Sequence, residues 1–174
     1  MNARDHFGML ARYHVWATDR LLDRHVAGLS DEEYRRDVGL FFKTVHGTLN
    51  HLLVAEQGLW FERFANGRSP KRKLNEEVHA DRAAVHTALK QAVREWLPAI
   101  ESWDEARFDG TLSYVSTEGV ARSVPFTPTL AHVFNHGTHH RGQISAAITA
   151  MGHDAPEIDL LFPVMAEAMR KPAS

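Results

Sequence analysis

Apolar side chains recur at helical spacing in four long stretches of this chain, and such a stripe must be buried against another layer of the fold. Leu10, Tyr13, Ala17, Leu21 and Leu22 predict a first helix over about residues 4–27. Ser30-Asp31-Glu32-Glu33 is a capping-box pattern for a short turn that follows. A second helix is expected over about Phe42–Phe64, stopped by Asn66-Gly67 with Pro70 beyond it. A polar, basic loop from Arg68 to Lys73 leads to a third over about Asn75–Trp103, bent or interrupted near Pro98. Then the period changes. Thr111–Val115 and Ala121–Pro125 flank Ser116-Thr117-Glu118-Gly119 and read as a β-hairpin. Thr127-Pro128 puts an N-cap before a proline at the first helical position, so a fourth helix starts there, runs to Met151 and ends at Gly152. A short last helix is expected over about Glu157–Met169. The expected class is all-α: a four-helix bundle with a small β-hairpin inserted before the fourth helix and a short C-terminal helix, one domain over residues 1–174.

Composition narrows the function classes. The chain is 44% hydrophobic and 24% charged with a formal net charge of −2, and it has no basic stripe or arginine-rich tail that would suit nucleic acid. The absence of cysteine excludes disulfides, thiolate zinc sites and a cysteine nucleophile. Met1-Asn2-Ala3-Arg4-Asp5 lacks a signal-peptide pattern and no apolar run approaches bilayer length, so a soluble cytoplasmic protein with no membrane partner is expected. Twelve histidines stand out against this background. Any transition-metal site must rest on imidazole and carboxylate.

The densest group is His136-Gly137-Thr138-His139-His140-Arg141-Gly142-Gln143, inside the fourth helix. Residues four apart lie about 40° apart around a helix and about 6 Å along it, so His136 and His140 can grip one divalent ion. Leu130, Val133, Phe134, Ile144, Ile148 and Met151 form the apolar stripe; His136 and His140 fall at its edge, and His139 projects away. His132, one turn earlier, could be a further ligand, a supporting group or a surface residue. Gly137 and Gly142 each cost a helix interior about 1 kcal/mol relative to alanine, which suggests a close helix or ligand approach. A third ligand should come from the second helix, where His46 and His51 compete. His46 lies at the edge of the stripe Val45, Leu49, Leu52, Leu53, Leu59 and Trp60, which favours it. His51 points almost opposite, along Thr44, Gly47, Thr48, Ala55, Gly58 and Glu62, a run of small residues that suits a cavity wall. The helical wheel leaves both open.

The segments Val45-His46-Gly47-Thr48-Leu49-Asn50-His51-Leu52-Leu53-Val54-Ala55-Glu56 and Leu130-Ala131-His132-Val133-Phe134-Asn135-His136-Gly137-Thr138-His139-His140-Arg141-Gly142-Gln143 resemble the DinB family of the DinB/YfiT-like superfamily. The order of elements agrees along nearly the whole chain. The resemblance implies a four-helix bundle holding a divalent metal, often nickel or zinc, on three histidines, which carry over to His51, His136 and His140. It also implies a homodimer. Superfamily members include thiol-dependent S-transferases and related isomerases.

Glu56 and Arg141 each sit within an apolar stripe, which predicts a buried pair between the second and fourth helices. His6, His14, His25, His79, His86 and His153 are expected on the surface or on helix faces. Glu76-Glu77-Val78-His79 holds a single E-x-x-H, too little for a ferritin-like di-iron site. Three imidazoles leave an open position for water, substrate or a low-molecular-weight thiol, so the expected function is a metal-dependent enzyme of thiol-S-transferase type. The alternatives are a metal-dependent hydrolase, with Glu62 as the nominee for general base, and a non-enzymatic, stress-responsive metal-binding bundle.

Overall fold

A computed structural model describes residues 1–170 of the chain. It is an all-α bundle with a small hairpin, as expected. Helix α1 (Ala3–Arg20) is capped by Asn2, whose side chain accepts from the Asp5 amide, and continues into a π-helical turn, Leu21–His25, and a 3-10 turn, Val26–Gly28. Ser30 and Glu33 close the capping box that starts α2 (Asp31–Arg35). Helix α3 (Val45–Leu52) runs without a break into a nine-residue π-helical stretch, Leu53–Phe61, and then into α4 (Glu62–Ala65). These three pieces form one rod, and all but Gly47 of its residues 45–56 are buried. Helix α5 (Arg82–Ser102) continues past Pro98. Strands β1 (Thr111–Val115) and β2 (Ala121–Pro125) pair antiparallel, with Ser113 opposite Ser123. Helices α6 (Phe126–Ala150) and α7 (Leu161–Arg170) complete the order.

Four helix starts differ from the periodicity, each because a polar or aromatic group is committed elsewhere. The second helix begins at Val45 rather than Phe42: Thr44 caps it, and the chain before it is folded back by a Leu40–Lys43 bridge, with Lys43 at φ 67°. The third begins at Arg82, behind the Asp81 cap, rather than at Asn75. The backbone before it serves other partners, since Leu74 O faces His51 Nδ1 and His79 is held through both its N–H and its carbonyl by the Asn50 amide. Thr127 is not a cap. Its hydroxyl donates to Phe108 O, and α6 starts two residues before Pro128, on Phe126, a fully buried ring. Helix α7 starts at Leu161 because the carbonyls of Glu157 and Ile158 accept from Arg20 and Tyr13 of α1.

The core has two apolar clusters. One is aliphatic, with Leu21, Leu49, Leu89, Val93, Ile144 and Ile148. The other is aromatic, with Phe7, Phe64, Trp96, Phe108, Phe126 and Phe134. On α1, on the central rod and on α6 alike, residues of one cluster precede and residues of the other follow a short polar interval. Those intervals hold His14, Glu56, and His136 to Arg141. Among the described residues no helix is long and apolar enough to cross a membrane.

Candidate metal centre

His136 and His140, one turn apart on α6, meet His51 from the central rod. His136 Nε2 lies 3.2 Å from His51 Nε2 and 3.2 Å from His140 Nε2. One ring nitrogen from each of the three lies within 4.8 Å of the others, and His51 and His140 are buried. Two nitrogens bound at about 2.0–2.1 Å on a tetrahedral ion stand about 3.3–3.4 Å apart, close to the two distances from His136 Nε2.

The outward nitrogens decide what the inward ones are. His51 Nδ1 faces Leu74 O at 2.8 Å, and a carbonyl can only accept, so that nitrogen carries the hydrogen and Nε2 carries a lone pair. His140 Nδ1 is likewise 2.8 Å from Gln143 Oε1. Burial, the largest cause in each case, pushes both rings down to about 4, so at neutral pH both are in the uncharged form that binds metals. The lone pairs of His51 Nε2 and His140 Nε2 both face His136 Nε2, and an ion held among the three rings would take them up. The donor set therefore fits a divalent ion, and nothing in it selects one metal.

His136 Nδ1 points at Glu56 Oε1, 3.9 Å away, too far for a hydrogen bond; neither atom has another partner among the described residues. Burial alone would raise the Glu56 carboxyl, but His14, the facing His136 and Arg141 bring it down to about 2. Glu56 Oε2 accepts from His14 Nε2 at 3.0 Å, and Arg141 donates to His14 Nδ1 at 2.7 Å. Glu56 and Arg141 are thus joined, as their places in apolar stripes suggested, but through an imidazole rather than directly. Arg141 also donates to Thr138 Oγ1 and lies over the Tyr13 ring.

His14 is the residue the sequence reading misplaced: it is 1% exposed, not on a surface face. Its position among Phe7, Ala11, Thr18 and Leu21, all buried at helical spacing, was the available signal. Gly137 is explained by the same chain of polar groups, because a Cβ there would stand 2.6 Å from Glu56 Oε1 and 2.8 Å from His14 Cε1. Gly142 is not: a Cβ there meets nothing within 4 Å, and the close approach expected at that position is absent.

His46 is buried but turned to other partners, Tyr34 Oη at 3.3 Å and the Asn50 side chain at 3.2 Å. His139 is exposed, as expected from its angle on the helix. His132 is exposed too, its ring 5.4 Å from Trp60 and 5.7 Å from His136. Glu62 is tied to Arg68 and Asn66. Two groups invisible to the sequence reading complete the surroundings. The Phe42 ring stacks on His51 with centroids 3.7 Å apart, and Gly47 makes room for its backbone, since a Cβ would lie 2.4 Å from Phe42 O. A cavity of about 260 Å³ opens beside His51 and His136, walled by Leu59, Trp60 and Tyr114 and reaching Arg63.

A helical bundle with three imidazoles from two of its helices around one point is the class of protein these features define. The sequence model of the DinB family matches residues 1–171, and the chain belongs to that family. Protein DinB of Bacillus subtilis (strain 168) is 24% identical over 155 residues, covering 86% of this chain and 88% of that protein. No solved structure matches.

Proposed function

We propose that this DinB-family protein is a metal-dependent enzyme of thiol-S-transferase type, with His51, His136 and His140 as ligands of a divalent ion, nickel or zinc. The observation that supports it is three imidazoles, His51, His136 and His140, converging beside a cavity with aromatic walls. A divalent ion held there would keep one position open and favour a small thiol as its thiolate at neutral pH. The chain's own groups do the rest. Leu74 O and Gln143 fix the rings of His51 and His140, Glu56 faces the outer nitrogen of His136, and Phe42 covers one side of His51. Trp60, Leu59 and Tyr114 offer a largely apolar wall for an electrophile. The new bond joins sulfur to an electrophilic carbon, and the leaving group departs with its electron pair.

Hydrolysis is the weaker reading, because Glu62 is held by Arg68 and is not among the residues lining the cavity. A purely structural metal is the third. Untagged protein separates the three: metal content, melting with and without chelator, and turnover on thiol–electrophile pairs and on ester or amide substrates. The transferase reading expects about one ion per chain and metal-dependent conjugation. A large chelator-induced loss of stability with no turnover on any pair would assign the metal to the fold instead. Full metal occupancy in His51→Ala, His136→Ala and His140→Ala would overturn the ligand assignment. We also expect a cytoplasmic homodimer, which light scattering at micromolar concentration and cell fractionation check.

A further inference from the structure

Arg63 is a buried cation without a counter-ion. It follows Glu62 on α4, but Glu62 is taken by Arg68, and among the described residues Arg63 forms no ion pair. The residue is 5% exposed. Its guanidinium lies over the Trp60 ring at 4.7 Å and the Tyr114 ring at 4.4 Å, so aromatic rings pack against it. Packing of that kind does nothing for the donors at the guanidinium edge. Five N–H groups point outward in the plane, and the one bond found there is a long contact of 3.4 Å to Val115 O. Nε is buried with no partner. Burial lowers its pKa, yet an arginine starts so high that it remains charged.

Bracing the hairpin against the central rod is a structural reason for an arginine here, and the two rings supply it. That role alone does not account for a buried Nε with no partner, since an unmet buried donor costs about 1–3 kcal/mol. The cavity that this residue lines also reaches His51 and His136. Glu118 lines it as well, but is exposed and accepts from Ser116 Oγ.

We propose that Arg63 anchors a carboxylate of the substrate, so that the molecule accepted in this cavity is an anion whose far end reaches the three-histidine cluster. A planar fork of N–H groups suits a carboxylate in two-point contact. The position lies roughly three helical turns beyond His51 on the same rod, so the ligand is elongated. A volume of about 260 Å³ holds roughly nine non-hydrogen atoms at liquid density. The carboxylate can belong to the thiol or to its electrophilic partner; both present the same group to Arg63.

The inference deepens the transferase reading and rests on it for the identity of the far end. Calorimetric titration of zinc-loaded protein with hexanoate, hexanol, mercaptohexanoate and mercaptohexanol separates the two ideas. Each acid is expected to bind at least tenfold more tightly than its alcohol. Arg63→Gln should remove that preference while leaving alcohol binding unchanged, and Arg63→Lys should retain part of it. Equal affinity for acid and alcohol in the wild type, no detectable binding of either acid, or a preference that survives in Arg63→Gln would each overturn the anion site. The wild-type comparison needs no variant to fold. Mercaptohexanol binding no better than hexanol would count against the thiol at the metal, while the acid–alcohol difference still decides Arg63. Conjugation of carboxylate-bearing thiols with neutral electrophiles, and the reverse pairing, then tells which reactant carries the anion.

Discussion

The two apolar clusters of the core are made differently, and the polar groups collect in the seam between them. The cluster around Leu49, Leu89 and Ile144 is almost entirely aliphatic and packs the N-terminal part of the central rod that carries His51. The one around Trp96, Phe126 and Phe134 is aromatic, and its fringe, Trp60 and Tyr114, walls the cavity. Aliphatic side chains adapt to neighbours, whereas large flat rings fix distances over a wider span. The difference teaches a division of labour: one cluster holds the helix that carries His51 in place, the other shapes the space beside it. The seam must be accurate because each polar atom there has few alternatives.

The sharpest way to break this comparison is to hollow out the aromatic side. Trp96 is 1% exposed and packs against Phe61, Phe64 and Phe134, so Trp96→Ala should cost about 3–5 kcal/mol in urea denaturation. If metal stoichiometry fell with it, the seam and the cluster would not be separable. Next is the seam itself. Gly137→Ala should cost about 1–3 kcal/mol by overpacking and weaken metal binding too, since the added methyl displaces Glu56 and His14. A variant with unaltered stability and metal binding would show that those groups have room to move. A smaller effect is expected from Glu56→Gln, with metal affinity reduced about 10–100-fold in competition with a chromophoric chelator. Unchanged affinity would remove Glu56 from the support of His136.

The mildest test is pH. Burial holds His51 and His140 near 4, against an ordinary histidine value of 6.5 in the unfolded chain. As pH falls below 6.5 the unfolded chain takes up protons that the folded one refuses until about 4, so the stability these residues confer at neutral pH is lost through that window. Metal-free protein should therefore show a lower urea midpoint at pH 5 than at pH 7, and a midpoint that rises on acidification would contradict the buried neutral rings.

The bundle, the hairpin and the pairing of His136 with His140 were legible because each rests on local spacing. His51 was not settled by spacing; the family resemblance chose it. The wheel on the second helix assumed one period throughout, whereas the rod changes its winding at Leu53, and it is buried on nearly every side across residues 45–56. A stripe has little meaning on such a helix. His14 was recoverable from its own stripe and was passed over because a lone histidine carries no signature. Phe42, Leu74 and Arg63 were out of reach. The first two act on His51 from segments that are not helical, and Arg63 gains its meaning only from rings that fold against it.

The π-helical stretch Leu53–Phe61 acts as a phase coupling between the two ends of the site. His51 lies just before it and Arg63 just after, so the number of residues within it sets the angle at which one faces the other. Deleting a single residue there would change that winding and shift the angle at which Arg63 meets the cavity, while leaving His51 where it is. The loop over residues 66–81 can vary in length around Leu74 without touching that angle. The interval between His51 and Arg63 cannot.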